Sequence, residues 1–326
     1  MATERGFALI QVLLVFAILA VVVTRLQYEQ RIQIERAYQS LFLSQSQSYI
    51  DSAEAIARVG LKLDLEQTQK DHFYQEWNQP IGPLPLEEGI ISLEMNDLQG
   101  RFNLNWLHPD SGYREGARDG FKRLLIELGE DSAIADELFN WFDEDSGAEF
   151  NYGDLMPSYT PSFHPMADVT ELRLLKLVDR EVYANLAPYI SALPARSTLN
   201  INTATPQVLM TLASYVGLED AQGFVDARGE NGFDSVDDLT NHPLFQEAEE
   251  AMLIDNLGIR SYWFDLFTEV SVGERSLTQQ SRLFRDELEG VLVTQRSQAT
   301  NTSNRAAGDP IKSEGNDNTG SLPVGF

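Results

Sequence analysis

The sequence predicts an α+β fold: a long N-terminal helix packed on a small antiparallel sheet, with a large all-helical domain inserted between the strands. Three observations predict it. Residues 7–59 contain neither glycine nor proline, the two residues that most readily end a helix. Strand-like patterns occur in two places far apart, at 89–106 and 262–295. Between them lie about 155 residues with helical spacing and caps.

Composition narrows the function before any motif is read. The 326 residues carry 24 Lys+Arg against 50 Asp+Glu, a formal net charge of -26. Phosphate backbones are bound through Lys and Arg that displace counterions, so this chain is a poor nucleic-acid partner. Basic protein patches and divalent cations suit it better. Hydrophobic residues make up 43%, enough for a packed core and too many for global disorder. Cysteine is absent, which removes disulfides, thiolate metal sites and cysteine nucleophiles. The four histidines are His72, His108, His164 and His242, and no two are spaced to share a metal on a helix.

The first element is the long helix. Residues 7–23 read FALIQVLLVFAILAVVV, with Gln11 the one polar member. Seventeen residues at 1.5 Å each reach about 26 Å, just enough to cross a hydrocarbon core. A cleaved secretory signal fits less well, because Glu4 cancels Arg5 and no A-x-A site follows the apolar run. Beyond Arg25, one face carries Leu26, Ile34, Tyr38, Leu41, Gln45, Tyr49, Ala53 and Ile56, mostly three or four apart. The whole helix, 7–59, is expected to run near 80 Å.

Residues 60–88 read as a connector, ending in the cluster Pro80, Gly82, Pro83 and Pro85. Residues 89–106 read as a β-hairpin: Ile91, Leu93 and Met95 alternate, then Phe102, Leu104 and Trp106, with a turn at 96–100. Helices are expected at 114–129, 131–142, 168–178, 179–191, 204–215, 218–228, 234–240 and 246–257. Two further strands are expected at 262–272 and 282–295. In the first, Tyr262, Phe264, Leu266, Val270 and Val272 share one face. Isolated hairpins are marginal, so both strand pairs are expected in one sheet, as a first part at 60–106 and a second at 261–296. The helical domain would occupy 107–260. Residues 297–326 are rich in Asn, Ser, Gly and Thr and read as a disordered tail.

Two segments carry possible chemistry. The first is Asp143-Glu144-Asp145-Ser146-Gly147-Ala148-Glu149, followed by Asn151 and Asp154. Carboxylates this dense repel unless solvated or bridged, and calcium is the natural bridge because it takes six to eight oxygens. Asp154 is twelfth from Asp143, as in an EF-hand, but Gly147 is fifth and the twelfth residue is not Glu. The spacing fits an irregular calcium loop or a merely solvated acidic loop. The second segment is LNINTATPQVLMTL at 199–212 with GFVDARGENGFDSVDDL at 223–239. Thr203 or Thr205 would cap a helix with Pro206 in its first turn, and Asp234 with Asp237 would cap another. The pattern resembles a helix-hairpin-helix or SAM-like module, but only Gly217 stands where a phosphate-binding G-x-G would, among acidic residues. A structural module fits the charge better than a DNA-binding one. No P-loop, G-x-S-x-G, H-E-x-x-H or dinucleotide fingerprint is present. Trp77, Trp106, Trp141 and Trp263 read as core or interface anchors, and Asp97 and Asp110 as turn formers.

These features together resemble a type II secretion minor pseudopilin of the K type. The likeness rests on the polar leader ending at Gly6 before Phe7 and an apolar helix, on Gln11 where pilins usually carry Glu, and on the W-x-D-x-D run at Trp141–Asp145. The N-I-N-T-A string at 200–204 and the large helical insertion also fit, as does the later HPMADVTELRLL. The resemblance implies a leader at 1–6, cut by prepilin peptidase between Gly6 and Phe7, with methylation of the new N-terminus. It implies a single-pass inner-membrane anchor, a periplasmic bulk, and calcium held by Asp143, Asp145, Glu149 and Asp154. It further implies partnership with I-, J- and H-type minor pseudopilins and the inner-membrane assembly platform at a pseudopilus tip, and no catalysis. A membrane-tethered metal enzyme and a DNA-uptake component are the alternatives.

Overall fold

The computed structural model describes residues 2–241 and 256–298. One helix, Ala2–Gln67, opens the chain. It extends past the expected end at Val59 because Leu61, one turn beyond Ala57, is buried against the sheet; a single exposed Gly60 costs less than that burial contributes. Its most apolar window has a mean hydropathy of 2.2 and none of it is buried in the structure, so the helix is long and apolar enough to cross a membrane.

The sheet has five antiparallel strands in the order Ile81–Pro85, Ile90–Asp97, Trp263–Val272, Arg275–Asp286 and Gly290–Gln298. Its central pairing joins residues far apart in sequence, with Ile91 opposite Val270 and Asp97 opposite Phe264. Phe264, Leu266, Met95, Leu283 and Val291 pack on Ala57, Leu61 and Trp77, while Ile91 and Val270 pack on Ile50 and Ala53. The inward face expected for 262–272 is therefore the one that meets the helix.

Four details differ from the expectation. The 89–106 hairpin does not form. Ile90–Asp97 pairs with Trp263–Val272, and Phe102–Asn103 pairs in parallel with Ile190–Ser191. Phe102, Leu104, Trp106 and Leu107 belong to the core of the inserted domain, whose larger apolar surface outcompetes a two-stranded ribbon. The expected strand at 282–295 is the end of one strand and the start of another, joined at 287–289. The supposed connector contains an edge strand, Ile81–Pro85, where Pro83 and Pro85 are tolerated because no further strand needs their N–H groups. Last, the helix stripe is shifted. The face on the sheet is Ser46, Ile50, Ala53, Glu54, Ala57 and Leu61, whereas Ile56 is 66% exposed and Leu26, Ile34, Tyr38 and Leu41 are exposed. Two polar residues, Ser46 and Glu54, sit in the true stripe, which an apolar count skips.

Between Asp97 and Trp263 the chain builds the inserted domain around one core that includes Phe121, Leu124, Leu138, Trp141, Leu186 and Val208. Its helices include Arg114–Glu127, Ala133–Trp141, Arg180–Leu186 and Leu218–Arg228. Val169–Leu174 is a 3₁₀ helix, and Pro206–Leu209 is a single α turn. The domain is not wholly helical: besides the 102–103 pair, Leu199–Asn200 runs parallel to Leu257–Gly258. Most of the expected helix at 246–257, and the tail beyond Gln298, lie outside the described residues; Ser297 and Gln298 end the last strand.

Candidate functional site

Three places carry the chemistry: the acidic loop, the hairpin-like module, and the neck joining the inserted domain to the sheet.

The acidic loop follows the Ala133–Trp141 helix directly. Asp143 caps a 3₁₀ turn, Glu144–Ser146, by accepting from the Asp145 amide at 3.1 Å. Gly147 then turns the chain with φ 71°, a conformation that glycine adopts without a Cβ clash. The other oxygen of Asp143 accepts from Arg114 Nη2 at 2.9 Å. Hydrogen bonding to that guanidinium holds its carboxyl below the usual carboxylate range, helped by the Asp145 amide. Asp145 and Asp154 are exposed. Glu149 opens a short helix, Glu149–Gly153, and its Oε2 is buried with no hydrogen-bond partner.

Among the described residues, no three acidic or histidine side chains come together around one point. The expected ligands Asp143, Asp145, Glu149 and Asp154 share a loop but do not converge, because Arg114 and backbone amides hold Asp143. Their chemistry, oxygen-only and anionic, suits calcium, and the orphaned Glu149 oxygen lacks the donor that a buried carboxylate needs.

In the hairpin-like module, Thr205 rather than Thr203 is the cap: its Oγ1 accepts from Val208 N, with Pro206 in the first turn. Asp238, not Asp237, closes the later turn, accepting from the amides of Asp234 and Ser235, because its carboxylate reaches back over the turn. The amide of Gly217, where a phosphate-binding hairpin would present a free N–H, donates to Asp220 Oδ2 at 3.1 Å. A carboxylate of the chain itself fills the phosphate's place.

The neck was largely hidden in the sequence. Asp97 does form a turn, accepting from Gln99 N at 2.8 Å, but its other oxygen also receives Ser261 Oγ at 2.6 Å and Thr203 Oγ1. Asn200 Nδ2 donates to Ser261 Oγ at 2.8 Å, to the Asp71 carbonyl at 3.1 Å and to Asp97 Oδ2 at 3.4 Å. Arg285, 1% exposed, ties Asp64 on the long helix to Asp71 and to the Ser261 carbonyl. The N-I-N-T string is thus the bolt of the neck: the chain leaves the sheet after Asp97 and returns at Ser261, and Asn200 and Thr203 pin both ends. Buried polar groups at this density hold only if nearly all are paired. The clue available in sequence was a string of small amides and hydroxyls within an apolar stretch.

Comparison with known proteins decides the family. Models of type II secretion system protein K match residues 100–195 and 199–260. The type II secretion system protein K of Pseudomonas aeruginosa is 33% identical over 96% of this chain and 97% of its own length. The chain belongs to the type II secretion system protein K family. The Klebsiella pneumoniae protein K is 30% identical, covering 86% of this chain and 92% of that one. A chain in the solved GspK–GspI–GspJ complex of enterotoxigenic Escherichia coli superposes with a TM-score of 0.69, at 26% identity, over 82% of this chain and all of that one. The protein K family member described here is a minor pseudopilin of type II secretion. The matched segments span the acidic loop and the N-I-N-T bolt.

Proposed function

We propose that this minor pseudopilin caps the pseudopilus tip, joined to I- and J-type subunits, and helps to start the fibre that exports folded proteins. The single observation that carries this reading is where the inserted domain sits. It leaves and rejoins adjacent strands of the sheet at Asp97 and Trp263, so a bulky head is fixed to a helix-and-sheet body. A subunit stacked above would have to occupy that space, which only the last position avoids. Membership of the E. coli relative in a complex with GspI and GspJ supports the partners; an H-type subunit and the assembly platform follow from the same reading. Co-purification of the full chain in detergent with I- and J-type partners tests it, and failure to associate would count against a tip role.

The helix from Phe7 on would serve as a single-pass inner-membrane anchor, with the sheet and head in the periplasm. Prepilin peptidase would cut between Gly6 and Phe7 and methylate Phe7. Gln11 lacks the charge with which a glutamate would neutralise a neighbour's N-terminus in a stacked fibre, which again suits an end position. Calcium is proposed at the acidic loop, with Asp143, Asp145, Glu149 and Asp154 as oxygen donors. The ion would neutralise clustered carboxylates and stiffen the loop; the buried, unpartnered Oε2 of Glu149 supports it. A catalytic role has no comparable support, since none of the catalytic motifs sought occurs in the sequence and the family is a structural one.

A further inference from the structure

The hairpin-like module carries a cavity of about 250 Å³ whose lining includes Phe73, Tyr74, Val225, Asp226, Arg228 and Glu230. Arg228 ends the Leu218–Arg228 helix and is 8% exposed. Its Nη1 donates to the carbonyls of Ile201 at 2.9 Å and Ala204 at 2.6 Å, so it braces the same string that bolts the neck. Nε and Nη2 make no hydrogen bond among the described residues. Unlike the sealed Nε atoms of Arg123 and Arg285, they keep contact with solvent, through the cavity that Arg228 lines. No carboxylate pairs with this guanidinium among the described residues. The ring of Phe73 faces it instead, its centroid 5.7 Å from Cζ. Burial pushes the pKa of Arg228 down to about 10, which leaves it a cation at neutral pH. Buried charges are ordinarily paired, and this one is served by two uncharged carbonyls.

We infer that this cavity binds a small zwitterion of the free amino-acid type, with its carboxylate on the Nε–Nη2 edge of Arg228 and its ammonium among Asp226 and Glu230. That edge of a guanidinium presents two parallel N–H groups, which match the two oxygens of one carboxylate. Asp226 and Glu230 are exposed on the same cavity. They oppose a dianion such as phosphate and favour a ligand that also brings a positive group. Gln222 holds Oδ1 of Asp226 at 2.9 Å, which leaves Oδ2 and the Glu230 carboxylate to receive an ammonium. Phe73, Tyr74 and Val225 offer apolar wall to a short side chain. The cavity falls just below the usual range for drug-sized ligands, so it suits a molecule of amino-acid size. A bound carboxylate would complete the coordination of Arg228 and so stiffen its hold on Ile201 and Ala204.

Isothermal titration calorimetry of the full chain in detergent, at constant ionic strength, tests the site with L-leucine as the probe. Two analogues each keep one charge: 4-methylpentanoate lacks the ammonium, and 3-methylbutylamine lacks the carboxylate. Leucine should bind saturably and more tightly than either analogue, and it should raise the melting temperature as any ligand of the folded state does. Arg228→Gln should abolish that binding. Because Arg228 also braces two carbonyls, a second variant acts only at the exposed acids. Asp226→Asn combined with Glu230→Gln should weaken leucine by about 5-fold, the upper worth of an exposed ion pair, and should not weaken 4-methylpentanoate. Absence of saturable leucine binding to the wild type overturns the inference, as does 4-methylpentanoate binding as tightly as leucine. Leucine affinity unchanged in Arg228→Gln overturns it too. Should Arg228→Gln fail to fold, the double variant decides, and unchanged leucine affinity there is equally fatal.

Discussion

Arg296 in the last strand donates from Nη2 to Glu54 in the long helix at 2.6 Å, across 242 residues of chain. The same carboxylate accepts from Gln279 Nε2 at 2.9 Å and from Ser281 Oγ. One buried acid on the helix thus gathers the last two strands of the sheet. Burial alone would raise its pKa, but Arg296, Ser281 and Gln279 outweigh that and lower it.

Glu54→Ala should therefore destabilise the sheet by about 2–3 kcal/mol, since Gln279 and Ser281 lose a buried acceptor. Urea unfolding measures it. Because the folded pKa is lowered, the Glu54 contribution is present above the ordinary value of 4.5 and lost as pH falls below it. The wild type should lose more stability than Glu54→Ala on acidification in that range.

Asn200→Ala should cost about 2–4 kcal/mol, because Asp97, Ser261 and the Asp71 carbonyl all lose a donor in a buried site. Asn200→Asp should cost more, since it adds a fourth carboxylate to the neck. Equal melting temperatures for all three proteins would contradict the role of this side chain as the bolt.

Calcium should raise the melting temperature of the wild type, and a chelator should lower it. Asp145→Asn combined with Asp154→Asn should shrink that response while leaving the calcium-free melting nearly unchanged, because both side chains are exposed. Calorimetry with and without the ion decides between a cation loop and a merely solvated one.

Asp220→Ala should weaken the Leu218–Arg228 helix by about 1 kcal/mol through loss of the bond to the Gly217 amide. It should not create salt-dependent DNA binding, because the surrounding acids remain. Titration with a labelled duplex at low salt checks this.

Much of the architecture was readable because it depends on local signals. The glycine-free, proline-free run at 7–59 is helical, and the alternation around Phe264 and Val270 faces the core as its period requires. The errors have a common physical origin in non-local competition. Phe102 and Trp106 alternate like a strand, yet the apolar core of the inserted domain takes them. Glu54 and Ser46 break the apolar stripe on the helix, yet they are buried because partners distant in sequence satisfy Glu54. The acidic loop was visible as composition, but the grip of Arg114 on Asp143 spans 29 residues and leaves no periodic trace. The neck shows the same limit: Asp97, Asn200, Ser261 and Arg285 meet only after the fold is complete.

Intact-mass analysis of the protein extracted from its native membrane tests the central claim most directly. A mature pseudopilin should lack residues 1–6, begin at Phe7 and carry one added methyl group. A chain that retains Met1, or that starts beyond Val23, would contradict it.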